Sequence, residues 1–168
     1  VLPVETLSLL AGIVLDTKNF SVRTGSRTFE AAAFLRRTGA DTVDVKKLFQ
    51  SDLEATVARY RVVQAARLYR NEIAIAAYPS TLSRTVAAQA ADELLNISGI
   101  LTSFVLYPAG EQVIISARSI GECNVQVVLE ALGGGGNAAT AGAQVKGKPL
   151  REVLEALVAS IDKFYENS

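Results

Sequence analysis

The sequence contains no histidine, methionine or tryptophan, and its single cysteine is Cys123. The absence of histidine excludes Ser/His and Cys/His nucleophilic catalysis within this chain, and it excludes any metal site with imidazole ligands from this chain. One cysteine excludes an internal disulfide framework and a metal site built from several cysteines. An excess of one charge is also lacking, because 17 Lys and Arg residues balance 17 Asp and Glu residues. That balance disfavours a protein dedicated to long nucleic acids or to anionic membranes.

Long hydrophobic runs are absent as well. Leu9–Leu15 is the longest apolar stretch near the start, and a membrane-spanning helix needs about 20 such residues. No signal-peptide pattern precedes it, and the lone thiol favours the cytoplasm. Because the chain starts at Val1 and lacks methionine, we expect a piece of a longer protein or a sequence from which residues are missing.

The composition is that of a folded globular protein. The chain has 168 residues, of which 49% are hydrophobic, enough for one domain or two small ones at roughly 100–200 residues each. The pattern predicts mostly helix over residues 1–51 and a connecting helix over 52–70. Residues 71–168 follow the order β-α-β-β-α-(β)-α, which predicts a separate α/β sandwich domain with a mixed sheet.

Individual elements follow from local patterns. Residues 4–15 predict a buried helix, with a strand as the alternative because so short an apolar run does not settle the period. Residues 104–117 predict a hairpin. Further expected elements are a short helix capped by Asp41 or Thr42, a strand at Ile73–Tyr78, a helix over 82–96, a helix at Val125–Leu132 capped by Asn124, a short strand at Ala143–Val145 and an amphipathic helix over 150–165.

Asp16 and Arg118 are the first two candidates for chemistry. Asp16 ends an apolar element, a suitable place for a metal ligand or general base, although spacing alone favours an ordinary turn aspartate. Arg118 follows a strand and can bind phosphate in a bidentate manner with help from the hydroxyls of Ser116 and Ser119. The competing interpretation is a surface arginine at a strand end.

Gly133–Gly136 is the most unusual segment. One glycine suffices to end a helix, and we expect packing to leave the other three unexplained. A backbone that offers several N–H groups to phosphate oxygens would explain all four, and a flexible linker is the equal alternative. The segment is not a Walker loop, because Lys146 and Lys148 come too late in the sequence.

Several segments in order resemble one known family. LLAGIVLDTKNFSVRTGSRTFEAAAFLRRTGAD at 9–41 resembles the last part of the catalytic domain of DHH phosphoesterases, in the branch that includes membrane-anchored bacterial cyclic-di-AMP phosphodiesterases. The second half resembles the DHH-associated substrate-binding domain. Its matching segments are AAQAADELLNISGI at 87–100, SFVLYP at 103–108, ISARSIGECNVQVVLEALGGGG at 115–136 and AGAQVKG at 141–147.

The resemblance implies roles for the candidates. The family hydrolyses phosphodiesters with two manganese ions held by Asp and His ligands, of which Asp16 is implied to be one. The SARS-type Arg118 with Ser119, and the loop of Gly133, Gly134, Gly135 and Gly136, are implied to bind the nucleotide. We therefore expect Arg118 and the glycines to share one pocket, and Asp16 to be exposed towards a cleft between the domains.

The sequence departs from the family pattern at two points, and both affect the expected function. The Asp-His-His signature is absent, so the chain is expected to be the C-terminal fragment and to be inactive alone. The family's loop ends in histidine, whereas Asn137 follows the fourth glycine here; either asparagine replaces it or residues are missing.

The leading hypothesis is thus a fragment of a cyclic-di-AMP phosphodiesterase, forming a cytoplasmic domain of a protein that is itself membrane-anchored. The alternatives are a phosphodiesterase of short oligonucleotides, of the nanoRNase or RecJ-like kind, and a non-catalytic nucleotide-binding module. A homodimer is possible under each.

Overall fold

The structure, a computed structural model, describes residues 3–168. It divides after Asp52 into two compact units, which we describe separately. No helix in the described part of the chain is both long enough and apolar enough to cross a membrane.

The first unit consists of three helices: α1 (Pro3–Asp16), α2 (Ser26–Arg37) and α3 (Thr42–Leu48). The predicted helix over 4–15 is confirmed against the strand alternative, but it is not a buried helix. Only Thr6 and Leu10 are buried along α1, because within this unit only α2 and α3 pack against it. The core of the unit is correspondingly small, comprising Leu10, Leu35, Ala40 and Val45.

Capping residues define the helix ends in this unit. Asp41, one of the two predicted caps, accepts a hydrogen bond from the Val43 N–H at 2.7 Å. Gly39 closes α2 with a φ of 112°, a conformation that residues with a Cβ rarely adopt.

The second unit contains a mixed sheet, as predicted. Its helices are α4 (Leu53–Gln64), α5 (Arg84–Leu94), α6 (Val125–Glu130) and α7 (Leu150–Glu166), and its strands are β1 (Ala66–Tyr69), β2 (Ile73–Ala77), β3 (Thr102–Ala109), β4 (Gln112–Ser119), β5 (Gly135–Gly136) and β6 (Thr140–Lys146). The strand order is β1-β2-β3-β4-β6-β5. Only β2 and β3 pair in parallel among these strands.

Each face of the sheet carries its own core, because successive strand residues point to opposite faces. On one face, Val105, Tyr107 and Ile114 pack with residues of α4 and α5 such as Val62 and Leu94. On the other face, alternate residues of the same strands pack against α6 and α7. The sheet is therefore the middle layer of a three-layer sandwich.

The predicted connecting helix over 52–70 is wrong in its extent. The helix ends at Gln64, and β1 follows as the edge strand of the sheet. Arg70 and Asn71 adopt φ values of 49° and 64°, which turn the chain back so that β1 pairs antiparallel with β2. In addition, α4 packs against α5, so it is part of the sandwich.

The predicted hairpin over 104–117 is confirmed, with longer strands. Pro108 pairs with Val113 inside the ladder, so the turn of the hairpin comes after it. The short strand expected at Ala143–Val145 extends over the seven residues of β6 and pairs with both β4 and β5.

Candidate functional site

A cleft of about 550 Å3 opens on the sheet face that carries α5. Its floor and walls come from four segments: the start of α5, the middle of β4, the glycine segment and β6. The lining residues with polar groups or exposed backbone are Arg84, Ser116, Gly133, Gly134, Gly135, Gly142, Gln144 and Lys146.

Gly133 ends α6. Its φ is 77°, and its N–H donates to the Glu130 carbonyl at 3.1 Å, while the Gly134 N–H donates to the Leu129 carbonyl at 2.8 Å. These two bonds are the Schellman arrangement of a helix C-terminus. Both N–H groups are therefore already occupied, which does not agree with a loop of four free amides.

Gly134 and Gly136 are required by close packing against β6. A Cβ on Gly134 would collide with the carbonyl oxygen of Gly142, and one on Gly136 with that of Thr140. The expectation that packing leaves three of these glycines unexplained is thus wrong for two of them, Gly134 and Gly136, while Gly133 ends the helix as one glycine was expected to do. The physical reason is that the chain passes from a helix end into β pairing within two residues, which leaves no space for a side chain.

Gly135 is the exception. A Cβ at this position would have no heavy atom within 4 Å, and its φ is not in the left-handed region. It lines the cleft opposite Gly142, its partner in the β5–β6 ladder. Neither packing nor backbone conformation requires glycine at this position.

Arg118 lies on the same sheet face, two residues along β4 from Ser116. Its Nε donates to Asp92 Oδ1 on α5 at 3.1 Å, and its Nη1 donates to the Ala117 carbonyl at 2.9 Å. The Arg118 side chain is 14% exposed. Ser116 and Gly133–Gly135 line the cleft, whereas Arg118 lies beyond the Ser116 end and is held by a carboxylate.

Ser119 is not brought to the cleft. It is 6% exposed, its hydroxyl lies 3.2 Å from that of Thr102, and it accepts a bond from the Gly121 N–H at 3.3 Å. Because neighbouring strand residues alternate between faces, Ser119 must lie opposite to Arg118. Ser116 is the hydroxyl of this strand that the geometry offers to a ligand.

Sequence reasoning missed two cations, Arg84 and Lys146. Both line the cleft and are exposed, and neither forms a salt bridge among the residues at 3–168. No Asp or Glu lines the cleft. The two-residue period of β6 places Gly142, Gln144 and Lys146 on one face of the strand. This pattern could have identified Lys146, but the sequence does not show which face of the sheet is open.

Asn137 stabilises a local turn through its side chain. Its Oδ1 accepts hydrogen bonds from the backbone N–H groups of Ala139 and Thr140, both at 2.9 Å. Its own N–H donates to the Thr140 carbonyl at 2.8 Å. This asparagine thus closes the turn that joins β5 to β6.

Asp16 lies at the C-terminal end of α1 and is exposed, as expected. Its Oδ1 pairs with Arg23 Nη1 at 3.2 Å. Within residues 3–168, no group of three or more Cys, Asp and Glu residues is placed to hold a metal ion. The described residues by themselves therefore do not fit the two-manganese site that the resemblance implies.

The first unit contains a separate apolar groove of about 810 Å3. Phe20, Phe29, Val43 and Phe49 line it, with Arg36 at its side. Its walls are dominated by exposed aromatic and aliphatic side chains, which distinguishes it chemically from the glycine-lined cleft.

Comparison with known proteins shows the family of the chain. Residues 71–167 match the family described as the DHHA1 domain. Two curated relatives are the cyclic-di-AMP phosphodiesterase GdpP of Bacillus subtilis, 45% identical over 97% of this chain, and the cyclic-di-AMP phosphodiesterase PdeA of Listeria monocytogenes, 42% identical over 97%. The chain spans only about a quarter of either relative, 26% and 25% of their lengths.

Solved structures show the same fold. An exopolyphosphatase-related protein from Bacteroides fragilis superimposes with a TM-score of 0.80 at 18% identity, covering 90% of this chain and 48% of that one. RecJ of Thermus thermophilus, solved in complex with Mn2+, gives 0.51 at 11% identity, covering 95% and 23%. The family match and the two relatives confirm the resemblance to DHH phosphoesterases, and the chain belongs to the DHHA1 domain family.

Proposed function

We propose that this chain supplies the substrate-binding part of a phosphodiesterase that opens cyclic dinucleotides, cyclic-di-AMP in particular, to the linear dinucleotide. The observation that carries the proposal is the cleft around Gly135, which has a bare backbone wall, two cations and no acid. The names of the two relatives support the choice of cyclic-di-AMP.

The chemistry of the cleft suits a phosphorylated ligand. Guanidinium and ammonium groups bind phosphate oxygens, and a wall without side chains at Gly135 lets a sugar or phosphate approach the main chain. The absence of acidic lining residues removes the repulsion that would oppose an anion.

The metal site is a separate part of the proposal. Manganese, in the resemblance, supplies an activated water for hydrolysis, and Asp16 is the one ligand implied in this chain. Since the described residues do not assemble such a site, we expect the 168-residue chain alone to bind cyclic-di-AMP without hydrolysing it. Asp16 would offer one carboxylate to such a metal, and that carboxylate pairs with Arg23 in this chain.

Calorimetry with cyclic-di-AMP tests the proposal. A Cβ at Gly135 has no heavy atom within 4 Å, so we expect Gly135→Val to fill part of the cleft and to lower the affinity at least tenfold, with little change in melting temperature. Gly12→Val is the matched control, because Gly12 on α1 is also free of neighbours within 4 Å and lies in the other unit. Absence of binding by the wild-type chain at millimolar cyclic-di-AMP would contradict the proposal.

A turnover assay with manganese tests the metal site separately from substrate binding. No product is expected from this chain, and robust hydrolysis by it would overturn the assignment of the metal ligands to other residues. Linear oligonucleotides assayed in parallel decide between a cyclic dinucleotide and a short oligonucleotide as the preferred ligand. The cytoplasmic location, the membrane-anchored parent and the homodimer remain predictions.

A further inference from the structure

Two parallel rows of residues border the cleft and continue beyond its Ser116 end. Arg84, Ala88 and Asp92 are spaced four apart and so share one face of α5. Ile114, Ser116 and Arg118 share one face of β4. The ion pair between Asp92 and Arg118 fixes which ends of the two rows meet, so Arg84 lies towards the Ile114 end.

A second contact confirms that alignment. Tyr107 pairs with Ile114 across the β3–β4 ladder. Burial raises the pKa of the Tyr107 phenol, and the positive charge of Arg84 opposes that rise, so Arg84 lies near this level of the sheet. Lys146 pairs with Gln112, which places it at the same end.

The cationic ends of the cleft are therefore well separated. Eight residues of α helix span about 12 Å, and four residues of strand span about 13 Å. Arg118 stands at one end of that length, and Arg84 with Lys146 stands at the other. A single phosphate group, which is only a few ångströms wide, does not reach both ends.

The two ends also differ in available charge. Arg118 is largely covered and is paired with Asp92. Arg84 and Lys146 are exposed, and neither makes a salt bridge to any residue that the structure describes. Uncompensated charge for an incoming anion is thus concentrated at the end remote from Arg118.

We propose that Arg84 and Lys146 form a second phosphate-binding position, which makes the cleft selective for ligands with two phosphate groups over mononucleotides. This inference rests on the proposed function and deepens it. It assigns to Arg84 and Lys146 the discrimination between a dinucleotide and its mononucleotide, while the first phosphate lies at the Ser116 end of the cleft, on the side of Arg118.

The test compares the affinities of the 168-residue chain for cyclic-di-AMP, the linear dinucleotide pApA and AMP by calorimetry at two salt concentrations. We expect both dinucleotides to bind at least tenfold more tightly than AMP. Arg84→Ala and Lys146→Ala should each reduce dinucleotide affinity several-fold, and the double variant should bring the ratio to AMP close to one. Arg84→Lys, which keeps the charge, should retain most of the selectivity.

Lys148→Ala is the matched control, since Lys148 is an exposed lysine outside the cleft lining, and it should leave the ratio unchanged. Unaltered selectivity in the Arg84 and Lys146 double variant overturns the second position and leaves the proposed function intact. Equal affinity of the wild type for AMP and the dinucleotides does the same. Failure of the wild type to bind any of the three overturns the proposed function and this inference together.

Discussion

Arg118 and Asp92 join β4 to α5 across the face of the sheet, with 3.1 Å between Nε and Oδ1. The arginine that the sequence singles out for phosphate is thus partly committed to a carboxylate of its own domain. This pair positions the Arg118 guanidinium at one end of the cleft, and it aligns the helix that carries Arg84 at the other.

The Arg118–Asp92 pair should be measurable in stability. We expect a double-mutant cycle of Arg118→Gln and Asp92→Asn to give a coupling energy of about 1 kcal/mol, because the guanidinium is mostly covered while the carboxylate is 45% exposed and partly screened. Urea unfolding of the four proteins measures it. Additive effects of the two substitutions would show that the pair contributes no stability.

Replacement of two adjacent glycines by alanine should change the free energy of unfolding by very different amounts. Gly134→Ala is expected to destabilise the protein by about 2 kcal/mol, because its Cβ would collide with β6. Gly135→Ala, with open space around the new Cβ, should change the free energy of unfolding by less than about 0.5 kcal/mol. Thermal and urea denaturation of the two variants make the comparison, and equal losses would contradict the packing described for this segment.

Asn137 should matter for the turn between β5 and β6. Asn137→Ala removes the acceptor for two backbone N–H groups, and we expect a loss of about 1 kcal/mol with faster amide exchange at Ala139 and Thr140. Asn96→Ala is the control, because Asn96 is exposed and no side-chain hydrogen bond holds it within the described chain. Unchanged exchange at both amides would argue against the turn.

Asp162 gives the stability of the second unit a dependence on pH. It accepts hydrogen bonds from the Tyr69 hydroxyl and, at 2.9 and 3.0 Å, from Arg70, and these partners lower the pKa of its carboxyl, Tyr69 having the larger effect. A lowered pKa stabilises the fold above the ordinary carboxyl range of about 4. That contribution is lost as the pH falls through the folded-state value.

Asp162→Asn should accordingly be less stable than the wild type at pH 7, and the difference should shrink as the pH falls below about 4. Urea midpoints measured between pH 2 and 7 give the curve. Glu155→Gln, which removes one partner of an exposed helix pair with Arg151, should track the wild type throughout. A difference that stays constant with pH would rule out this role for Asp162.

Features decided by neighbouring residues were predictable from the sequence. Asn124 and Asp41 cap helices as expected, since capping depends on a side chain and the next two or three N–H groups. The family resemblance, which depends on several ordered segments, was also predictable. Asp16 was correctly expected to be exposed.

Features that depend on which faces of the helices and the sheet pack together were not predictable from the sequence. The end of α4 at Gln64 depends on the pairing of the following strand, β1, with β2, and the turn between these strands uses two left-handed residues, Arg70 and Asn71, instead of glycine. Ser119 was assigned to the phosphate although the strand turns it away, because the sequence does not show which face of β4 is open. Arg84 and Lys146 were missed for the same reason, because only the folded sheet brings them to one cleft.

Amide chemical shifts during a titration with cyclic-di-AMP test the central claim most directly, because they report on each part of the 15N-labelled chain at once. We expect the largest changes at Gly133–Gly135, Ser116 and Gln144, which line the cleft, with little change along the groove that Phe29 and Phe49 line in the first unit. Shifts confined to that groove, or no shifts at millimolar cyclic-di-AMP, would contradict the assignment of nucleotide binding to the glycine-lined cleft.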